Sequence, residues 1–315
     1  MKIYKSKYKD IESICMENDK LKVEFLPSQG AKMASLVFKK TGRELLYQNK
    51  GSKYRTKNYD GDYVSGECSG FDDMFPTIEK CFYESFPWAG AVLPDHGEVW
   101  SLNWESKIQK DELLFSVKGI RIPYRLEKKI SFKTENEIKI YYRLTNLSDF
   151  PIDFIWAGHI MLKPEKGCMM KFPEDMKKAV CTISESGAIG KYGDEFKFPI
   201  AQNSEGKHYD ISFYDGGKGN DFQKFYFKDK FSNGWGSLSY PTGEVFTVRF
   251  SEDSVKYFGA VNGEGGSLDL KCIILEPCTG LFDRPDIAKK YDSDCVLNGS
   301  ETKEWSLGIG LDYKD

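Results

Sequence analysis

The chain has 315 residues but only three histidines, His96, His159 and His208. Near neutral pH an imidazole is the commonest proton handler, so any acid–base chemistry draws on a short set of candidates. An excess of one charge is also missing. Lys plus Arg number 45 and Asp plus Glu 48, a net charge of −3. That balance argues against a nucleic-acid partner, whose affinity comes largely from Lys and Arg on phosphates. No apolar run reaches the ~18 residues of a membrane span, and residues 1–20 lack the apolar core of a signal peptide. The expectation is a soluble, unexported protein of the cytoplasm with no membrane partner. The eight cysteines (Cys15, Cys68, Cys81, Cys168, Cys181, Cys272, Cys278 and Cys295) include no Cys-x-x-Cys pair. Their spacing matches no zinc or disulfide framework, so reduced thiols and no metal are expected. The sequons at Asn146 and Asn298 then carry no glycan, since glycosylation needs export. Internal repeats, low-complexity tracts and Pro/Ser-rich linkers are lacking as well.

What the chain does have is aromatic residues, 15% of the total, and strand patterning. Leu21, Val23 and Phe25 alternate with Lys22 and Glu24. The same period of two recurs at Ile138–Leu144, Phe246–Phe250 and Trp305–Leu311, and marks half-buried antiparallel strands. Leu113–Val117 and Cys272–Leu275 read as more deeply buried strands. Lys40–Gly42, Asn49–Gly51 and Thr134–Asn136 hold small polar residues that tolerate turn dihedrals. The best helix signal is 283–290, where Pro285 fits the first turn. Residues 199–231 are the least strand-like, and within them the polar 215–221 segment reads as a solvated loop rather than a Ca²⁺ site. Gly263–Gly266 lacks the Lys-Ser/Thr and the helix that a phosphate cradle needs. The pattern predicts an all-β chain, one large domain over 1–315 in which two antiparallel sheets pack face to face.

Four segments place polar residues where strands normally avoid them. Phe71-Asp72-Asp73-Met74 sets two adjacent acids among rings, suited to a pocket rim or a capped turn. His96 stands between a Pro turn and a Gly, a context that alone reads as exposed loop. His159 lies inside the apolar run 154–162, where a buried histidine is either a hydrogen-bonded core residue or a catalyst. Glu276 ends the apolar run 270–275 just before Pro277, which cannot continue a ladder. It is therefore either a rim carboxylate in water or a buried one whose raised proton affinity suits a general base. His208 sits in a polar stretch and reads as surface.

The order and context of these segments resemble the galactose mutarotase (aldose 1-epimerase) superfamily across nearly the whole chain. The resemblance starts at Asn18–Ala31, continues through His96-Gly97 and His159, and ends with Asn262-Gly263-Glu264-Gly265-Gly266 and the strand closing on Glu276. It implies a large antiparallel β supersandwich with an open cleft, acting on a small-molecule carbohydrate without cofactor or metal, as a monomer or homodimer. By the same resemblance Glu276 takes the proton from the anomeric hydroxyl, His159 protonates the ring oxygen and His96 orients the sugar. A carboxylate and an imidazolium in one cleft would hold each other ionised near neutral pH. The resemblance implies sugar contacts from Asn262, and Asp72 and Asp73 stand where the family has a sugar-binding arginine. Composition adds Phe71, Trp88 or Trp100 as rings that stack on the sugar. The family's substrate-binding aspartate matches either Asp210 or Asp215, and only Arg121 and Arg284 hint at a phosphate site. Ala260 and Val261 replace an expected aromatic. These departures point to a divergent branch acting on another aldose or sugar derivative, or to a carbohydrate-binding or sensor protein on the same fold.

Overall fold

The computed structural model describes residues 1–314 apart from Lys57, Lys230, Ser232, Glu252 and Asp294. A twelve-stranded sheet runs in spatial order Lys2–Tyr8, Ile11–Glu17, Leu21–Leu26, Lys32–Phe38, Phe71–Met74, Ala157–Leu162, Leu270–Cys278, Tyr257–Gly265, Phe222–Phe227, Lys178–Ser184 and Glu195–Lys197, with Arg43–Glu44 paired onto Lys32–Phe38. An eight-stranded sheet runs Met169–Lys171, Gly234–Ser239, Glu244–Phe250, Thr302–Tyr313, Glu137–Asn146, Tyr124–Thr134, Glu112–Lys118 and Glu105–Gln109. The ladders within both sheets are antiparallel. Residues 285–290 form a short helix with Pro285 in its first turn, as the sequence indicates.

The two sheets face each other across a core rich in rings. Phe25 of the first meets Phe115 of the second at 5.9 Å between centroids, and Trp156 meets Trp305 at 5.1 Å. Each such contact adds about 0.5–1.5 kcal/mol beyond the area it buries. The strand Glu137–Asn146 buries alternate residues only, because its outer face meets solvent. Glu112–Lys118 does the same, so it is half-buried rather than deeply buried as its apolar sequence suggests.

The central strands of the larger sheet behave differently, being buried on both faces. Residues of one parity, such as Ile160, Ile273, Leu275 and Ala260, enter the inter-sheet core. Residues of the other parity, Met161, Ile274, Val261 and Phe222, enter a second apolar cluster on the opposite face. Loops around 63–78, 95–100 and 281–288 cover that face. Phe222–Phe227 is one of these doubly buried strands, although it falls in the stretch that reads as least strand-like. Four of its six residues are aromatic and the two polar ones, Gln223 and Lys224, are adjacent, so period-two alternation cannot reveal it.

Candidate active site

Side-chain parity decides which polar residues meet. On Leu270–Cys278, Glu276 shares the face of Ile274, and on Ala157–Leu162, His159 shares the face of Met161. The two strands are paired, with Met161 opposite Ile274. His159 Nε2 accordingly lies 3.3 Å from Glu276 Oε1. One strand further on, Glu276 is opposite Gly259, and a Cβ there would come within 3.0 Å of Glu276 Oε2 and 2.8 Å of the Tyr226 ring. The missing side chain makes room for the carboxylate. Lys224, on the next strand, reaches back to place Nζ 3.1 Å from Glu276 Oε2 and 2.7 Å from Asp283 Oδ1. Tyr226 donates its hydroxyl to the same Asp283 oxygen at 2.6 Å.

His96 arrives from a loop. Its φ is +58°, its N–H donates to the Ile78 carbonyl, and Gly97 follows at φ +74°. A Cβ on Gly97 would fall 2.3 Å from the Phe75 carbonyl oxygen, so only glycine allows the turn to press this close. His96 Nδ1 is 2.9 Å from Asp95 Oδ1, and its ring stacks on Tyr63 at 4.1 Å. The Tyr63 hydroxyl donates to Asp72 Oδ2 at 2.9 Å and lies 3.4 Å from His159 Nδ1. Behind it, the fully buried Lys32 Nζ is 2.9 Å from Asp72 Oδ2.

These groups converge on a cavity of about 420 Å³, lined among others by Glu276, His159, His96, Lys224, Asp283 and Asp95. Burial pushes the Glu276 carboxyl above the ordinary glutamate range, Lys224 pulls it back and Asp283 pushes it up again. Burial drives His159 well below the usual histidine value, reinforced by the nearby positive charges of His96, Lys224 and Lys32. The expectation that carboxylate and imidazolium hold each other ionised is therefore corrected. Desolvation disfavours both charges and brings the two proton affinities towards each other. Lys224 stays charged, because Asp283 and Glu276 outweigh its burial. At Asp95 burial pushes upward, but the hydrogen bond and charge of His96 prevail and hold it low. Among the described residues Glu276 is held by its charge contacts with Lys224 and His159, and neither carboxylate oxygen is engaged in a well-aligned hydrogen bond. The carboxylate is buried yet keeps its acceptor capacity for whatever enters.

The structure brings His96, His159 and Glu276 together, and places the other candidates off the cavity. Asp73 has the parity of Phe71, so it points into the inter-sheet core, where it binds Lys128 Nζ at 2.8 Å and accepts from Trp156 Nε1 at 3.1 Å. Phe71 packs in that same core. Asp72 lies behind His159 rather than at a rim, held by Lys32 and Tyr63. Trp100 is buried edge-on against Tyr63 and donates to the Asp95 carbonyl, which fixes the His96 loop. Asn262 faces away and donates to the carbonyls of Ile211 and Phe213 at 3.1 and 2.9 Å. Trp88 packs near Tyr83 and Phe150. Asp210 caps Ser212, and Asp215 pairs with Lys166. Arg121 sits at the surface by Asp60 and Tyr59, and Arg284 pairs with Asp286. His208 is exposed.

Four residues of the site do not stand out in the sequence: Tyr63, Asp95, Lys224 and Asp283. Lys224 carried the signal that singled out Glu276, a lone charge in an apolar strand, but its strand was not visible. Among the described residues no helix is long and apolar enough to cross a membrane.

A family model described as a domain of unknown function (DUF5107) matches residues 2–88. No curated protein matches the chain. Among solved structures, a galactose mutarotase-like protein from Lactobacillus casei is 17% identical, with TM-score 0.63, over 95% of this chain and all of that one. A galactose mutarotase-like protein from Clostridium acetobutylicum is 14% identical, with TM-score 0.65, over 99% and 98% of the two chains. The Slr1438 protein from Synechocystis is 14% identical, with TM-score 0.70, over 99% and 100%. At these identities the likeness is one of architecture: the chain has the all-β, galactose mutarotase-like supersandwich fold.

Proposed function

We propose that this protein is an aldose 1-epimerase-like isomerase that interconverts the α and β anomers of a free aldose or sugar derivative. The observation that carries the reading is the meeting of Glu276, His159 and His96 in one cavity, with Glu276 3.3 Å from His159. Opening a hemiacetal needs a proton removed from O1 and one delivered to the ring oxygen. Glu276, buried and with unfilled acceptor capacity, takes the first. His159 delivers the second, and His96, fixed by Asp95 and Tyr63, orients the sugar. Rotation about C1–C2 and the reverse transfers then close the other anomer.

The opposed shifts of Glu276 and His159 suit this cycle. One transfer leaves Glu276 protonated and His159 neutral, and the nearer their proton affinities, the smaller the free-energy step between the two states. Lys224 keeps a positive charge beside Glu276 and stabilises its ionised form. No step requires a metal or a cofactor.

The test is anomer exchange by NMR over a panel of aldoses, comparing the protein with its Glu276→Gln variant. The variant should lose about 10²–10⁴ in rate, the usual contribution of a positioned acid or base. Failure of every sugar to exchange faster than with Glu276→Gln would overturn the reading. Tight sugar binding without exchange would assign a binding or sensor role, the reading favoured by the lack of an arginine among the cavity's described lining residues.

A further inference from the structure

The register of the larger sheet sets one row of polar side chains across its strands. Met33 pairs with Phe71, which brings Lys32 beside Asp72. Asp72 is opposite His159. His159 faces Glu276 between the pairs Ala157–Cys278 and Ile160–Leu275. Glu276 is opposite Gly259, and Gly259 is opposite Tyr226. The half of the row at Glu276 takes part in the proton transfer. The half made by Lys32 and Asp72 does not line the cavity, and the transfer leaves it without a role. Both residues are fully buried, and burying two charges costs stability that pairing only partly returns.

Hydrogen-bond capacity decides where the protons of this half lie. Asp72 Oδ2 is 2.9 Å from Lys32 Nζ and accepts from the Tyr63 hydroxyl at 2.9 Å. Asp72 Oδ1 is buried with no partner, so a proton there would be an orphaned donor. Burial raises the Asp72 carboxyl, and Lys32 and Tyr63 pull it back. Lys32 also donates to the Ser69 carbonyl at 2.8 Å, and Asp72 keeps it charged against its burial. Asp72 is its counterion and an acceptor only, so the single proton of the Tyr63 hydroxyl is committed to it. What the hydroxyl turns to His159 Nδ1, 3.4 Å away, is a lone pair. Nδ1 meets a lone pair as an N–H donor. The neutral imidazole is then the Nδ1–H tautomer, and its bare nitrogen is Nε2, the one 3.3 Å from Glu276 Oε1.

The charges of this support are balanced. A carboxylate placed directly on Nδ1 would orient the ring but would also stabilise the imidazolium and make it hold its proton. Here Tyr63 stands between them and Lys32 offsets the carboxylate. Burial lowers the proton affinity of His159 most, and the positive charges of His96, Lys224 and Lys32 add to the effect. Tyr63 is itself fixed, stacked on His96 at 4.1 Å and edge-on to Trp100 at 5.0 Å.

We propose that Lys32, Asp72 and Tyr63 are positioning residues that hold His159 in its Nδ1–H tautomer, so that every proton it exchanges with the sugar passes through Nε2. The role in turnover rests on the anomer-exchange reading; the tautomer does not. In ring opening the Nε2–H bond of the imidazolium breaks as the ring oxygen gains that proton. The same oxygen keeps the electron pair of its bond to C1, Glu276 takes the proton of O1, and Nδ1 keeps its own. On closure the new hydroxyl returns its proton to the bare Nε2. The opposite tautomer would present an N–H to that hydroxyl and could not take the proton back.

The test is the tautomer itself. With only three histidines in the chain, long-range proton–nitrogen correlation NMR resolves each imidazole, and His159→Gln identifies the signals of His159. At about pH 8, above the ordinary histidine range, wild-type His159 should show a protonated Nδ1 and a bare Nε2. Tyr63→Phe keeps the ring that stacks on His96 but removes the lone pair, and should shift His159 towards Nε2–H. Its kcat for D-glucose or D-galactose, whichever exchanges faster, should fall about three- to tenfold, the worth of one ordinary hydrogen bond, at unchanged KM. A merely structural role would lower stability and leave the tautomer as it is. A wild-type Nε2–H tautomer, a Tyr63→Phe tautomer unchanged from wild type, or a shifted tautomer at unchanged kcat overturns the inference. Should the variant not fold, the wild-type spectrum alone decides it. The expected tautomers in both proteins with no exchange of any aldose overturn the anomer-exchange reading and leave the fixed tautomer standing.

Discussion

Lys224→Met is the most informative single change. Methionine keeps the length and apolar packing of the lysine stem inside the second cluster but removes the charge 3.1 Å from Glu276 and 2.7 Å from Asp283. Two carboxylates then face the same space with no cation between them. Losing one close opposite charge displaces a carboxyl titration upward by about 1–3 pH units. The acid limb of the pH–rate profile should move up by that amount, so on the limb the rate at fixed pH falls roughly ten- to a thousandfold. Stability gives a second readout. A carboxyl whose folded-state value is raised costs stability above that value and nothing below its ordinary one. The variant should therefore be destabilised near neutral pH by about 1.4–4 kcal/mol and recover on acidification. Exchange NMR from pH 4 to 9 and denaturant unfolding at several pH values measure both. An acid limb that stays put, or a stability deficit that deepens on acidification, would refute the assignment of Lys224 as the group that holds Glu276 ionised.

Three further outcomes follow from the same geometry. The wild-type profile should be bell-shaped, its limbs drawn together from the ordinary values of 4.5 and 6.5, because burial raises Glu276 and lowers His159; an enzymatic rate still climbing above pH 6.5 contradicts this. Tyr63→Phe removes the hydroxyl between Asp72 and His159 and leaves a fully buried carboxylate one donor short. It should cost about 1–3 kcal/mol, seen as a lower denaturant midpoint at unchanged slope, and unchanged stability would count against that hydrogen bond. Lys128→Met strips Asp73 of its buried cation and should destabilise the fold by about 3–5 kcal/mol. It should leave KM for sugar unchanged, because Asp73 faces the inter-sheet core; a raised KM in a folded variant would return Asp73 to the binding site.

Much of the architecture was legible without coordinates. Alternation at Ile138–Leu144 and Trp305–Leu311 is a direct record of one wet and one dry sheet face, and both segments pair in the smaller sheet. Legibility failed where both faces are dry. Phe222–Phe227 has no period of two, so neither the strand nor Lys224 within it shows in the sequence. Asp72 and Asp73 show a second limit. Adjacent acids looked like a rim, but in a strand neighbours point to opposite faces, so each met its own lysine, Lys32 or Lys128, from elsewhere in the chain.

By itself, the sequence determined the fold class, the scarcity of proton-handling groups and the identity of the three residues that meet in the cavity. The first two are properties of local pattern and residue type; the third came from the order of the segments, through the family resemblance it carries. Only the tertiary structure decided which carboxylates are sealed away and which stay available, because that depends on strand register and parity between segments distant in the chain. It also decided the charge states. His159 and Glu276 differ from ordinary side chains through burial and through Lys224, Lys32 and Asp283, none of which is their neighbour in the chain.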